Sequence, residues 1–336
     1  MTRMARMLRL TVIFTAFVVF GSRAAHAADC DRACLKAALD QYLAAVVKHD
    51  PAAAPLSLGS RETQNAIAMR PGNGAWKTVT GLGKVQRKYI DAVSGQAAYF
   101  GIIDEGANSA IVTIRIRVED RKITEAEWYL GRRGDPGLNG PNLFDTDYLT
   151  ANPPPDRVVP KPQRVPREAL LAIVNSYFDG ITSHDGSVVL AHPGCNRVEN
   201  GVSMTGRRGG GAGQRGGGVA GAAPAGAAAP AGGNDCVSGF ANLTTALVAA
   251  RRFPVVDEEA GIVLATAVFI RPPGATQPRN AFSEWFIIDA GKIRNIYAAM
   301  FYPGPGLPVP NWPPYEGNWP LPVLPAPAAP AAQPRQ

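Results

Sequence analysis

Glu284 is the side chain of this sequence that is best placed for acid–base chemistry. It lies in the run Phe282–Ile288, where every second side chain counted from Phe282 is apolar apart from Glu284 itself. Alternation therefore puts it on the apolar face of a strand. A carboxyl group buried among apolar neighbours has a raised pKa and can serve as a general acid or base. The alternative is that Trp285 and Ile287 mark the core side and that Glu284 faces solvent.

The segment Asn196–Gly201 carries a second group of candidates. Alternation places Arg197 and Glu199 on one face of this segment and Asn200 on the other. An amide such as that of Asn200 can orient a carbonyl or hydroxyl group of a ligand, and we predict Asn200 and Glu284 as the catalytic residues. The alternative for Asn200 is a turn position whose side chain hydrogen-bonds its own backbone, which the following glycine favours.

Further polar and aromatic side chains are candidates for contacts with a ligand. Glu127 precedes two aromatic residues in a strand-like run, a setting similar to that of Glu284. Large aromatic side chains line pockets, although they are more often plain core. The predicted ligand-binding residues are Asn65, Trp76, Glu127, Glu199 and Tyr297.

The sequence lacks the motifs of several common enzyme classes. It contains no H-E-x-x-H, no G-x-S-x-G, no P-loop and no dinucleotide fingerprint. The three histidines after residue 27 stand in separate places, which argues against a classical zinc site. Two of them, His49 and His184, precede an aspartate at the end of a predicted helix, where a capping role is favoured over catalysis. We therefore predict neither a metal nor a cofactor.

These candidates belong to a sequence that occurs twice. The stretch 35–50 recurs at 170–185 with one constant offset of 135 positions, and the same offset relates Asn65 to Asn200. One register over so many positions indicates a tandem duplication. The matched pairs are Leu35 and Leu170, Ala38 and Ile173, Leu39 and Val174, Tyr42 and Tyr177, Leu43 and Phe178, Val46 and Ile181, and His49 and His184.

The elements that must position these residues repeat as well. Apolar residues at helical spacing predict helices over 31–48 and 167–183. A short helix is expected near Lys84–Ala92 and an extended segment around 61–70. Each half is thus a helix followed by strands, an α+β unit. The predicted strands are Ala97–Asp104, Ala110–Val118, Ile123–Leu130, 262–270, 281–289 and 292–301.

A helix that ends in His-Asp, an extended stretch with Asn, and long strands joined by a turn before Lys-Ile resemble the nuclear transport factor 2-like superfamily. That superfamily includes SnoaL-like polyketide cyclases and ketosteroid isomerases. The resemblance covers residues 30–133 and 166–303, and the tandem form beginning with Cys-x3-Cys also resembles a family of exported bacterial and fungal proteins without an assigned function. It implies two cone-shaped units, each a curved antiparallel sheet packed on helices around a mostly apolar pocket. It carries over no catalytic residues, because the fold hosts several activities.

The first 27 residues are typical of a secretory signal peptide. Arg3, Arg6 and Arg9 precede the apolar run Leu10–Phe20, and Ala25-His26-Ala27 is a small-x-small cleavage site. We predict a periplasmic or secreted protein with no membrane attachment after cleavage; the alternative is an uncleaved anchor. Four of the 34 basic residues lie in this segment, which leaves 30 against 27 acidic residues. That excess is too small for nucleic-acid binding.

The remaining chain divides into two domains and their connections. We predict a first nuclear transport factor 2-like domain at 28–133, a linker at 134–165 and a second such domain at 166–303. A Gly/Ala-rich insertion at 207–233 cannot bury a core and is expected to be disordered, and a Pro-rich tail follows at 304–336. Several apolar residues in the linker predict that it packs on a domain. They are Leu143, Phe144, Tyr148 and Leu149.

The four cysteines fit an oxidising compartment. Cys195 and Cys236 flank the insertion, and we pair them; closing that loop contributes about 4 kcal/mol by the chain-entropy relation. Cys30 and Cys34 form the remaining pair, with Cys34 on the first turn of the helix. The alternative of a redox or metal site lacks a second cysteine pair with ligand spacing.

These features predict an exported protein that binds a small, mostly apolar organic molecule in a cone-shaped pocket. Cofactor-independent proton transfer of the isomerase, lyase or cyclase type is the activity that such a pocket could carry, and the second domain is the favoured half. The alternative is a non-catalytic binding or scaffold module, in which one domain covers the sheet of the other and side chains fill both pockets. The sequence identifies neither the ligand nor the oligomeric state.

Overall fold

The computed structural model describes residues 30–138, 143–205, 235–273 and 280–302. Within these residues the chain forms two six-stranded sheets, each accompanied by one long helix. The α+β class and the repetition of one unit are therefore as predicted. The predicted signal peptide, the Gly/Ala-rich insertion and the Pro-rich tail lie outside the described residues.

The first unit is a helix followed by six strands. Its elements are α1 (Arg32–Val47), β1 (Leu56–Gln64), β2 (Ile67–Met69), β3 (Gly81–Asp91), β4 (Gln96–Glu105), β5 (Asn108–Glu119) and β6 (Lys122–Arg132). Asp31 caps α1 by accepting a hydrogen bond from the backbone N–H of Cys34 at 2.9 Å, which satisfies one of the donors that a helix start leaves unpaired. The strand order is β2-β1-β6-β5-β4-β3.

The second unit repeats this plan after a short helix, α2 (Thr146–Ala151). Its elements are α3 (Arg167–Ser183), β7 (Ala191–Glu199), β8 (Val202–Ser203), β9 (Leu247–Asp257), β10 (Ile262–Ile270), β11 (Ala281–Asp289) and β12 (Lys292–Phe301). The strand order β8-β7-β12-β11-β10-β9 is that of the first sheet with each strand replaced by its counterpart. This equivalence supports the tandem duplication that the offset of 135 positions predicts.

Two secondary-structure predictions are wrong. The stretch Lys84–Ala92 is not a helix but belongs largely to the edge strand β3, where the consecutive charged residues Arg87 and Lys88 interrupt the apolar alternation that would identify a strand. The sheets are also mixed rather than purely antiparallel, because β1 pairs in parallel with β6 and β7 in parallel with β12. Sequence patterns describe single strands, and they do not reveal that the first strand of each unit lies beside the last.

The sheets create three buried layers. The inward face of each sheet packs on the long helix of its own unit. The outward faces of the two sheets pack on each other, so that Phe100 of the first unit meets Trp285 of the second with 6.2 Å between ring centroids. Thr113 and Ser283, at equivalent positions of β5 and β11, are hydrogen-bonded across this layer at 2.8 Å. Both faces of each sheet are therefore buried.

Two aspartates join the units in a reciprocal way. Asp257 accepts hydrogen bonds from both terminal nitrogens of Arg32, at 3.0 and 2.8 Å, and one from the backbone N–H of Ile90, the residue before Asp91. Asp91 accepts the matching set from Arg167 and from the backbone N–H of the residue before Asp257. We call these two arrangements the aspartate clamps. Because each carboxylate belongs to one unit and accepts these hydrogen bonds from the other, the clamps fix the relative position of the sheets.

The linker packs against both units, as its apolar residues predict. Phe144 and Leu149 are buried in the layer between the sheets. The carbonyl groups of Pro153, Pro154 and Pro155 accept hydrogen bonds from side chains of both units. The linker thus adds to the contact between the two units.

Both predicted disulfides are present. Cys30–Cys34 joins the residue before α1 to its first turn, with 5.1 Å between Cα atoms. Cys195–Cys236 joins β7 to the residues after the insertion, with 5.2 Å between Cα atoms. No free cysteine remains in the described part of the chain.

Replacing Asp257 by Ala is expected to lower the free energy of unfolding by about 3 kcal/mol, because several donors lose a buried acceptor at once. Urea denaturation measures the loss. The control is Asp179→Ala, which breaks an aspartate–arginine pair with Arg251 whose carboxylate is 61% exposed, and which should cost less than about 1 kcal/mol. Equal losses in the two variants would contradict a structural role for the clamps.

Candidate functional site

Strand β11 places Glu284 in the interior of the second unit. Phe282 and Phe286 face the same way and pack around α3, whereas Trp285 faces the other unit. Glu284 is fully buried. The orientation is the one that alternation in the sequence predicts, and it excludes the alternative that Glu284 faces solvent.

Arg197 connects Glu284 to two other polar side chains. Its Nη2 lies 2.6 Å from Oε1 of Glu284, its Nε donates to Glu199 at 2.7 Å, and its Nη1 donates to the hydroxyl of Tyr177 at 2.6 Å. We call these four residues the Arg197 cluster. Since β12 lies between β7 and β11, the cluster bridges three adjacent strands and α3.

The carboxyl group of Glu284 is incompletely satisfied. Its Oε1 forms a close ion pair with Arg197, and beyond this contact neither oxygen has a hydrogen-bond partner among the described residues. Burial raises the pKa of Glu284, and the neighbouring Arg197 offsets this only in part. A buried polar group without a hydrogen bond costs about 1–3 kcal/mol. The site therefore holds a buried acid whose pKa lies above the usual range and whose close polar contact among the described residues is Arg197.

Aromatic rings surround this carboxyl group. Phe178 lies against both Phe282 and Phe286, with ring centroids 6.4 and 5.8 Å apart. Tyr177 meets Phe286 and Phe240 edge-on, at 5.2 Å in each case. We call these five residues the aromatic enclosure. It supplies the low-polarity surroundings that raise the pKa of a carboxyl group.

The first unit has a different polar group at the equivalent place. Glu62, 135 positions before Arg197, is buried and accepts hydrogen bonds from Tyr42 at 2.8 Å, Trp76 at 2.9 Å and Gln64 at 3.2 Å. Burial raises its pKa, and these hydrogen bonds only partly oppose the shift. Sequence reasoning missed Glu62, although the offset that pairs Tyr42 with Tyr177 would have placed it. Its interactions are satisfied, in contrast to those of Glu284.

Asn65 and Asn200 lie in turns. Both have a left-handed backbone, with φ of 49° and 44°. The amide of Asn65 donates to and accepts from the backbone of Leu130, each at 2.9 Å, and Asn200 does the same with Met300 at 3.0 and 2.9 Å. Asn200 thus does not join Glu284 but ties the turn after β7 to β12. Both residues thus occupy turns, as the alternative predicts, but each amide bonds the backbone of another strand rather than its own. Their ligand roles stay predictions.

Glu127 and Tyr297 lie between the sheets rather than inside a unit. Glu127 accepts hydrogen bonds from Arg115 at 3.1 Å and from Arg252 of the other unit at 2.7 Å. Tyr297 donates to the carbonyl of Pro153 at 3.2 Å. The expectation that they line the interior pocket of a unit is therefore wrong. Trp128 and Ala298 occupy the inward positions next to them, and alternation alone does not say which face is inward.

The remaining candidates have separate positions. Trp76 is buried inside the first unit, and its indole N–H donates a hydrogen bond to Glu62. Glu199 reaches the rim of the second interior, where 12% of its side chain is exposed. The histidines before the two aspartates contact backbone carbonyls: His49 that of Trp76, and His184 that of Thr245 at 2.7 Å.

The aspartates that follow these histidines have the predicted capping role. Asp50 accepts a hydrogen bond from the backbone N–H two residues later at 3.0 Å, and Asp185 does the same at 2.8 Å. In the part of the chain that the structure describes, no three His, Cys, Asp or Glu side chains are grouped so that they could hold a metal. No helix among the described residues is long and apolar enough to cross a membrane.

Comparison with known proteins matches the part of the chain that contains the Arg197 cluster to a family model of unassigned role. Residues 163–300 match the family described as "Domain of unknown function (DUF8021)". A crystal structure from Methylobium petroleophilum PM1, described as a protein of unknown function with a cystatin-like fold, is 17% identical. It aligns with 43% of this chain and 82% of its own, at a TM-score of 0.26. No curated protein matches the chain.

Glu62→Gln should change how stability depends on pH. Because burial raises the folded-state pKa of Glu62 above 4.5, the folded protein retains a proton that the unfolded chain releases as pH rises. The wild type therefore loses stability through this window, and the variant does not. Urea denaturation between about pH 3 and about pH 8 should show that the free energy of unfolding of the variant rises relative to that of the wild type as pH increases.

Glu105→Gln is the matched control for this series. Burial alone would raise the pKa of Glu105, but hydrogen bonds from Arg132 and Thr78 outweigh it and lower the pKa below 4.5. Ionised Glu105 stabilises the fold above its unfolded pKa, and this stabilisation is lost as pH falls through the folded pKa. The free energy of unfolding of the variant should therefore fall relative to that of the wild type as pH rises. The same slope in both variants would contradict the assignment.

Asn65→Gly should lower the free energy of unfolding by about 2 kcal/mol, since two hydrogen bonds to β6 are lost while glycine tolerates the left-handed backbone. Asp120→Gly is the control, because Asp120 has the same φ of 49° in the exposed turn after β5. It should change stability by less than about 0.5 kcal/mol. Urea denaturation of both variants tests the structural role, which a small loss at Asn65 would refute.

Proposed function

We propose that this protein is exported and binds a small, mostly apolar organic molecule in the interior of the second unit. In this proposal Glu284 is the polar group that meets the ligand, and the aromatic enclosure contacts its apolar part. Both units are assigned to the nuclear transport factor 2-like superfamily. The repeated order of a long helix and six strands supports that assignment.

The observation that carries the proposal is the state of the Glu284 carboxyl group. Beyond its ion pair with Arg197, neither of its buried oxygens has a hydrogen-bond partner among the described residues, whereas Glu62, the buried acid of the first unit, accepts hydrogen bonds from several side chains. Buried polar groups are nearly always paired, and exceptions call for a functional explanation. A ligand hydroxyl or carbonyl would supply the missing hydrogen bond, and apolar sites with a few polar groups are typical of small-molecule binding.

Proton transfer is the reaction that this arrangement favours. A carboxyl group with a raised pKa can donate and accept a proton near neutral pH without a cofactor, and the pKa of Glu284 is raised by burial. An isomerase, lyase or cyclase type of reaction would need Glu284 to face a carbon next to a carbonyl group. Arg197 would stabilise the carboxylate once the proton has left.

The alternative of a scaffold module is favoured for the first unit. Its interior polar network, built from Tyr42, Glu62, Trp76 and Trp128, is satisfied by its own members. Its sheet covers the outward face of the second sheet. The first unit would then support the second without binding a ligand itself.

Export is supported by the cysteines. Both disulfides of the described chain join residues that are close in the fold, and disulfides persist in oxidising compartments. They are consistent with a periplasmic or secreted protein whose predicted signal peptide is removed.

Glu284→Gln is expected to abolish ligand binding, because the amide cannot exchange a proton and presents a different pattern of donors and acceptors. The test is mass spectrometry of organic extracts from the purified proteins, followed by melting shifts with a panel of cyclic ketones and phenols. Glu62→Gln, which alters the buried carboxyl group of the other unit, is the control and should bind as the wild type does. Equal co-purification and equal melting shifts for the two variants would refute the proposal.

A further inference from the structure

A short segment, residues 235–243, closes one side of the second unit's interior. Its Phe240 is buried and meets Tyr177 edge-on, with 5.2 Å between ring centroids. Tyr177 accepts a hydrogen bond from Arg197, which in turn contacts Glu284. The ring of Phe240 thus packs directly on a member of the Arg197 cluster.

The Cys195–Cys236 disulfide is the covalent anchor of this segment. Its hydrogen bonds are mostly local: Asp235 accepts from the backbone N–H groups of Val237 and Ser238. Among the described residues, the one backbone hydrogen bond that leaves the segment runs from Cys236 to the carbonyl of Cys195 at 2.9 Å. The disulfide joins the same two residues. Besides the disulfide, the segment is held by the packing of Phe240, Val237 and Leu243 on the core of the second unit.

The first unit secures the equivalent segment without a covalent bond. There Trp76 meets Tyr42 edge-on at 5.3 Å, as Phe240 meets Tyr177. The indole N–H of Trp76 donates to Glu62, and the backbone N–H of Ala75 donates to Gln64 at 2.9 Å. In the second unit an arginine replaces Glu62, and phenylalanine has no N–H to donate. The disulfide therefore takes over the anchoring role.

Phe240 packs closely against α3 at Gly180. A Cβ atom at Gly180 would lie 3.0 Å from the Phe240 ring and 2.5 Å from the side chain of Val189. The first unit has the larger Ala45, also buried, at the equivalent position. Phe240 therefore fits closely where it lies.

We propose that the Cys195–Cys236 disulfide is a redox-controlled closure of the second unit's interior, and that the dithiol form leaves Glu284 open to solvent. Closure is thiol–disulfide exchange: the two cysteine sulfurs form a bond, and their two protons and two electrons pass to the disulfide of an oxidant, which becomes a dithiol. Linking residues separated by 41 positions removes conformational freedom from the opened state. This inference does not depend on the identity or existence of a ligand.

The test is the reactivity of Glu284 toward a water-soluble carbodiimide with glycine ethyl ester, measured by peptide mass spectrometry of the full chain. Glu284 should react about tenfold faster or more in the double variant Cys195→Ser/Cys236→Ser than in the oxidised wild type, because local opening exposes it. Cys30→Ser/Cys34→Ser, which removes the other disulfide, is the matched control and should leave Glu284 protected. Glu62 should stay protected in all of these proteins.

Phe240→Ala separates closure from general loss of structure. This variant keeps both disulfides but removes the ring, and it should also expose Glu284 to the reagent. If Cys195→Ser/Cys236→Ser no longer unfolds cooperatively on heating, it is not folded, and the reactivity of Glu284 in Phe240→Ala alone tests the proposal. Glu284 that reacts at the wild-type rate in Phe240→Ala, or in a double variant that remains folded, would overturn the proposal.

Discussion

The aspartate clamps are the constraint on which the rest of the structure depends. Each carboxylate is buried and bridges an arginine at the start of the other unit's helix to the backbone of the other unit's edge strand. Buried carboxylates need such complete partners, since an unpaired one is costly. The clamps thus require that the two sheets meet back to back and in one register. That arrangement points both interiors away from the contact and leaves them independent of each other.

The reciprocity of the clamps is the signature of a symmetric pair. Equivalent residues play equivalent roles: Arg32 and Arg167 donate, Asp91 and Asp257 accept, and the β5 and β11 hydroxyls meet each other. A two-fold interface brings the same patch of each partner together, and here both partners are halves of one chain. The duplication has therefore kept the interface while allowing the interiors to diverge.

The interiors of the two units differ both in the charge of their polar side chains and in the size of the side chains beside them. Arg197 stands where the first unit has Glu62, and Glu284 of β11 stands where β5 has Ile114. In the first sheet Ile114 pairs with the bulky Trp128, whereas in the second sheet Glu284 pairs with the small Ala298. An arginine without a counter-charge could not be buried, and here Glu199 and Glu284 both supply one. The smaller residue on β12 leaves the volume in which the carboxyl group of Glu284 and the guanidinium lie.

Local patterns predicted most of the elements and the orientation of Glu284, because helical and strand periodicities are properties of short stretches. The helix at 167–183 and the strands at 262–270, 281–289 and 292–301 have the predicted bounds. The pairing of Glu284 with Arg197 could not be predicted, since it depends on β12 lying between their strands. Glu127 and Tyr297 were misplaced for a related reason: each sheet buries both faces, so burial no longer distinguishes an interior from an interface.

The replacement of Glu62 by Arg197 has one further structural consequence. In the first unit the carboxylate of Glu62 accepts the hydrogen bond of the buried Tyr42 hydroxyl. It also holds the segment around Trp76 by accepting a hydrogen bond from the indole N–H. An arginine at that place offers only donors, so it can fill the interior but cannot hold an indole. The second unit separates the two roles, with the guanidinium binding the carboxylates and the covalent bond of Cys195–Cys236 holding the segment. The position of segment 235–243 therefore does not depend on Glu284. The fold can remain stable even though this acid is incompletely satisfied.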